Sequence, residues 1–92
     1  MNIQEAVSTQ LSSLINISHI ELMDTTGKHI HHQNFNGGHH LSAIIVSDDF
    51  IDLNLLDRHQ LVYKALGEML KNEIHAFSMK TYTILEWSKN VT

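Results

Sequence analysis

The chain contains no cysteine and no proline. Without cysteine there are no disulfides, and any metal bound by this chain alone must be held by nitrogen and oxygen donors. Without proline, repeats or a low-complexity linker, nothing marks a domain boundary, so residues 1–92 read as one small domain. Charge is also sparse: 17% of residues are charged, while 42% are hydrophobic, enough for a core and too apolar for wholesale disorder. No apolar run approaches the roughly 20 residues needed to span a bilayer, and the amino terminus shows no basic stretch followed by an apolar one. A soluble, cytoplasmic protein with no membrane role is the expectation.

Basic residues are few as well. Six Lys and Arg against ten Asp and Glu give a net charge of −4, a poor balance for neutralising phosphates. Histidine is the exception to this thrift. There are eight, and protonating all of them would carry the net charge to +4. Five fall between His29 and His40, and another, His75, stands alone on a strand pattern. A lone strand histidine and a distant histidine-rich loop are the raw material of a split metal site.

Asn2 with Glu5 three residues on reads as a helix start, followed by Ile3, Val7, Leu11, Leu14 and Ile15 at helical spacing. From Ile17 to Asp24 the period changes to alternation, a half-buried strand. Residues 25–39 carry Gly27, Asn34, Asn36, Gly37 and Gly38 without periodicity and read as a long loop. Residues 40–47 are β-branched and apolar, a second strand. Asn54 caps a helix whose apolar stripe runs from Leu55 to Leu70, with Asn72 at its end. Ile74 to Tyr82 form a third strand. Thr83 stands three residues before Glu86, a capping box that opens a last short helix containing Trp87.

The order is therefore αββαβα. Strands one and two should pair antiparallel, and the helix between strands two and three permits a parallel crossover. The expected architecture is two-layer α+β, with a mixed three-stranded sheet and helices packed on one face. An extra helical turn before the long helix is compatible with the pattern.

The run VSDDF…LLDRHQLVYKALGEMLKNEIHAFSMKTYTILEW closely resembles the BolA family, and DTTGKHIHH…GGHHLSAIIVSDDF is similar to that family's variable loop and second strand. The likeness extends from about Ser18 to Trp87. Its most specific parts are Arg58-His59…Val62-Tyr63 and Ile74-His75-Ala76…Tyr82-Thr83…Glu86-Trp87. Asp52 stands where the family commonly has glycine, Leu41 replaces a frequent phenylalanine, and Ile84 sits where proline often opens the last helix. Asp tolerates turn conformations, so the turn at Asp52 should survive.

The resemblance implies a fold related to class II KH domains and partnership with a monothiol glutaredoxin. It implies a [2Fe–2S] cluster shared with that glutaredoxin and glutathione, serving iron–sulfur trafficking or assembly, or iron-responsive regulation. Family members supply a histidine matching His75 plus a cysteine or histidine from the loop; lacking cysteine, this chain is of the histidine-loop type. By alignment the loop ligand is His32 or His31, with His29 and His39 next. Lys80 is a candidate for docking an acidic partner surface or a glutathione carboxylate, against the plainer reading of a solvated lysine.

From spacing alone, His75 is an ordinary partly buried histidine sharing strand parity with Phe77 and Met79, and the loop histidines are an incidental cluster or an adventitious nickel or zinc binder. The family match reverses the first reading. His40 reads as packing or as support for a ligand, His59 as structural on its helix, and Tyr63, Tyr82 and Trp87 as core or interface residues. No nucleophile, phosphate loop, Ser/His/Asp context or HExxH spacing points to an enzyme. The alternative of another class is a KH-like nucleic-acid-binding transcriptional regulator of stress and cell morphology, for which no GxxG loop is present. A homodimer is compatible with the chain.

Overall fold

A computed structural model describes residues 2–25 and 39–90. Its elements are α1 (Ile3–Ser12), β1 (His19–Asp24), β2 (His39–Val46), a single 3-10 turn (Asp48–Phe50), α2 (Leu55–Leu66), a second 3-10 turn (Gly67–Leu70), β3 (Ile74–Tyr82) and α3 (Ile84–Asn90). The sheet order is β1-β2-β3, with β1 antiparallel and β3 parallel to β2. This is the expected αββαβα arrangement, and the 3-10 turn at Asp48–Phe50 is the extra turn ahead of the long helix.

The helix starts form where the side chains prescribe. Asn2 Oδ1 accepts from the Glu5 amide at 2.8 Å, and Asn54 Oδ1 from the Asp57 amide at 2.8 Å, each satisfying an amide that has no partner within its helix. The helix ends fall earlier than apolar spacing predicts. α1 stops at Ser12, leaving Leu14 48% exposed while Ile15 turns back into the core. α2 stops at Leu66, because Gly67 takes φ +55°, a conformation that ends an α-helix; the apolar residues Met69 and Leu70 continue in the 3-10 turn. Asp52 adopts φ +65°, so the position where glycine is usual in the family does hold a left-handed conformation.

Val7, Leu11 and Ile15 meet Leu41, Ala43 and Ile45 of β2, Phe50, and Val62, Ala65 and Leu66 of α2 in one buried cluster. Each fully buried Val, Leu, Ile or Phe side chain contributes about 1.5–3 kcal/mol relative to leaving it exposed. α1 and α2 form this helical layer, and Gln10 Nε2 donates to the Ala65 carbonyl at 3.0 Å, filling an acceptor in the last turn of α2. The two aspartates of the 3-10 turn fix its neighbours. Asp49 Oδ2 accepts from the Asn16 amide at 2.8 Å, and Asp48 Oδ1 from the Ile84 amide at 3.0 Å.

The opposite face of the sheet is largely open, except at one end. Val46 pairs in register with His19 on one side and Tyr82 on the other, is 1% exposed, and lies outside the main core. Trp87 of α3 covers it, stacked on His19 at 5.4 Å and tilted against Tyr82 at 5.3 Å between ring centroids.

Candidate metal centre

The site begins with an irregularity in the parallel pairing. His39 pairs with Ile74, but His40 pairs with Ala76, so His75 is an extra residue in β3, a β-bulge. Beyond the bulge, Phe77, Met79 and Thr81 pair with Leu41, Ala43 and Ile45 on the core face, while Ala76, Ser78 and Lys80 pair with His40, Ser42 and Ile44 on the open face. Unbroken alternation puts His75 with Phe77 and Met79, as spacing predicts. The bulge overturns that parity. Ile74 faces the core at 3% exposure, His75 is exposed, and its ring lies 4.9 Å from that of His40, inclined at 36°. Bulges re-aim side chains in this way because two residues of one strand oppose one of the other.

The sheet end that carries His75 is also the end from which residues 26–38 depart and return. Thr25 donates to the His40 carbonyl through both its amide, at 2.8 Å, and its hydroxyl, at 3.1 Å, and the His39 amide donates to the Glu73 carbonyl at 3.1 Å. The expected ligands His29, His31 and His32 lie outside the described residues. His39 is not brought to His75. By alternation along β2 it takes the core-side face, where its Nδ1 is 3.4 Å from Asp24 Oδ2. The histidine whose ring does meet that of His75 is His40, expected from sequence as packing or as support for a ligand. Sequence carries one signal for this: Ile74 and Phe77, three apart, are out of phase for a regular strand with both on the core face.

Lys80 is exposed on the open face, roughly 13 Å along β3 from Ala76 at 3.3 Å per residue. It flanks a shallow groove floored by Ser42, Ile44 and Ser78, with Glu21 and Met23 on the opposite side. The Ser42 and Ser78 hydroxyls share a 2.8 Å hydrogen bond across its floor. Among the described residues, no three or more His, Asp or Glu side chains assemble as a metal cluster. His40 and His75 are a pair of neighbouring rings at this end of the sheet. His59 is half-buried on α2, its Nε2 enclosed without a hydrogen-bond partner among the described residues.

Arg58 is engaged. Its guanidinium grips both carboxylate oxygens of Glu86 at 2.7 and 3.0 Å. That hydrogen-bonded cation, with help from the Thr83 amide, holds the Glu86 carboxyl down at about 2, and Glu86 in turn raises Arg58. The Glu86 carboxylate also accepts from the Thr83 amide at 2.8 Å while Thr83 Oγ1 accepts from the Glu86 amide at 3.2 Å, the reciprocal capping box.

Together these features define a small two-layer α+β module with a mixed three-stranded sheet and a histidine pair at the open end of its parallel strands. The chain belongs to the BolA family: the model for BolA-like proteins matches residues 11–86. It is 33% identical over 89 residues to the Escherichia coli DNA-binding transcriptional regulator BolA, covering 95% of this chain and 81% of that protein. It is 31% identical over 88 residues to BolA-like protein 1 of Bos taurus, covering 96% of this chain and 64% of that one. The crystal structure of a bol-like protein from Babesia bovis superimposes with a TM-score of 0.80 at 29% identity, over 100% of this chain and 96% of the other. No helix among the described residues is long and apolar enough to cross a membrane.

Proposed function

We propose that this chain is a non-enzymatic partner of a monothiol glutaredoxin in the cytoplasm, and that with glutathione the two share a [2Fe–2S] cluster as cargo, for iron–sulfur trafficking or assembly or for iron-responsive regulation. The observation that carries this reading is the exposed His75 at the sheet end where the His29–His40 stretch rejoins the fold. A nitrogen-only donor set suits it, because imidazoles replace thiolates on one iron of such clusters and raise their reduction potential. A bulge residue tied into a sheet is placed in advance, while partner thiolates complete the coordination. Each imidazole must be neutral to donate, so binding weakens toward acid pH. The docking surface is formed by β3 and α3, with Lys80 available to an acidic group.

The test mixes the protein with a monothiol glutaredoxin, iron, sulfide and glutathione and records visible absorption and circular dichroism. A spectrum distinct from that of glutaredoxin alone, and altered by His75→Ala, supports the reading. An unchanged spectrum with no co-elution sinks it.

A second reading, transcriptional regulation through nucleic acid, is favoured by the name of the Escherichia coli relative. Against it stand the net charge of −4 and the engagement of Arg58 by Glu86, which leaves Lys64 and Lys71 as the other cations of that region. Anisotropy of a labelled DNA duplex at rising salt decides it: nucleic-acid binding requires an affinity that falls steeply with salt.

A further inference from the structure

We propose that the end of the fold opposite His75 carries a second docking surface, one that takes a basic, apolar segment of a partner protein. It does not rest on the cluster reading. His75 stands at the start of β3 and this surface lies past its end, with roughly 23 Å of strand between His75 and Tyr82 at 3.3 Å per residue.

The surface is built where the Asp48–Phe50 turn, the start of α2 and the first turn of α3 meet. Ile51, Ile84 and Leu85 line one open hollow of about 560 Å³. They are 52, 46 and 65% exposed. Leu55, also exposed, stands three residues before Arg58 on α2 and continues the apolar side. Single apolar residues on a surface call for no explanation, whereas several around one hollow mark a place of contact. α3 is anchored through Trp87 and Glu86, which leaves Ile84 and Leu85 outward.

Charge decides the occupant. Asp48, Asp52 and Glu86 share the lining with Arg58, the one cation among the described residues that form it. The Arg58 guanidinium is committed to Glu86 and to the Leu53 and Thr81 carbonyls. The rim therefore presents two aspartates without a balancing charge. Asp48 Oδ1 accepts from the Ile84 amide, while Asp52 has no hydrogen-bond or ion-pair partner among the described residues. What the rim lacks is a positively charged donor, which lysine or arginine beside an apolar side chain supplies. The same carboxylates repel phosphate, which argues against nucleic acid here. A second copy is disfavoured as well: a two-fold contact sets this acidic rim against itself, and each copy carries a net charge of −4.

The probe is a synthetic amphipathic helical peptide with leucines on one face and lysines and arginines flanking them. It is titrated into the isotope-labelled full chain and followed by amide NMR. The amides of Ile51, Asp52, Ile84 and Leu85 should shift, and those of His75 and Lys80 should not. Replacing the basic residues of the peptide by glutamate should weaken binding by about tenfold or more, and added salt should weaken it too. Leu85→Ser, at an exposed position, should weaken it about tenfold with the thermal midpoint unchanged. Asp52→Asn keeps a residue that tolerates the left-handed backbone and should weaken it about threefold. Equal binding of the glutamate peptide, shifts confined to other faces, or no shifts at all overturn the proposal. It falls equally if a DNA duplex shifts the same amides, or if sedimentation shows a dimer that Leu85→Ser abolishes.

Discussion

Arg58 of α2 holds both carboxylate oxygens of Glu86 in α3, at 2.7 and 3.0 Å. The same guanidinium donates to the Leu53 carbonyl at 3.0 Å and the Thr81 carbonyl at 3.3 Å, and lies over the Phe50 ring at 5.9 Å. One side chain therefore joins the start of α2, the end of β3 and the first turn of α3. Since α3 carries Trp87 over Val46, this contact also secures the cover at one end of the open sheet face.

The Glu86 carboxyl, lowered from 4.5 to about 2, ties stability to acid. A depressed carboxyl contributes fully above its unfolded value and loses that contribution as pH falls through its folded value. The difference in stability between the protein and Glu86→Gln should be constant above pH 5, shrink below 4.5 and be lost only as pH falls below about 2. The Glu86 side chain is 46% exposed. Its contribution should therefore be about 1 kcal/mol, well below what the whole shift implies. Urea unfolding at each pH, read by Trp87 as the sole tryptophan, measures it.

Arg58→Lys should not be conservative. Lysine cannot present the planar fork that meets Glu86 in two bonds while reaching two carbonyls. A loss of about 2 kcal/mol is expected, because the Leu53 and Thr81 carbonyls lose charged donors in a part-buried setting. Equilibrium urea denaturation should show a lower midpoint at unchanged slope.

Asp52 and Gly67 test backbone conformation. At φ +65° Asp52→Gly relieves left-handed strain and should be neutral or stabilising by up to about 1 kcal/mol, while Asp52→Val should cost about 1–2 kcal/mol. A Cβ on Gly67 meets nothing within 4 Å, yet its φ of +55° makes Gly67→Ala unfavourable by about 1–2 kcal/mol through backbone strain alone. Thermal melts of the three variants give the ranking.

Phe50, fully buried below Arg58, should be the costliest single truncation. Phe50→Ala removes a core ring and leaves a cavity, a loss of about 3–5 kcal/mol. Trp87→Ala should cost less, about 2 kcal/mol, because that ring is half-buried and covers Val46 from the solvent side. If the two losses came out equal, Trp87 would belong to the core instead of capping an open face.

Sequence by itself determined the order and type of the α-helices and strands, because the information for each is local. Asn2, Asn54 and the Thr83–Glu86 box state where helices begin, and apolar periods of two and near four distinguish strand from helix. The turn at Asp52 was expected from the resemblance, since the family commonly has glycine there and Asp tolerates turn conformations. The helix ends were less legible, since Leu14, Met69 and Leu70 continue the apolar spacing past the point where Ser12 and Gly67 end the backbone pattern.

The site itself was decided by tertiary structure. A register is a relation between two strands, and although the phase of Ile74 and Phe77 hints at an irregularity, it does not fix which residue opposes His40. The bulge is set by pairing with β2 and by burial of Ile74 against the helical layer. It turns His75 from the core face to the open face, parts it from His39 and delivers it to His40. The partners of Arg58 were likewise invisible in sequence: Glu86 lies 28 residues away, brought within 2.7 Å when α2 and α3 meet at the end of β3.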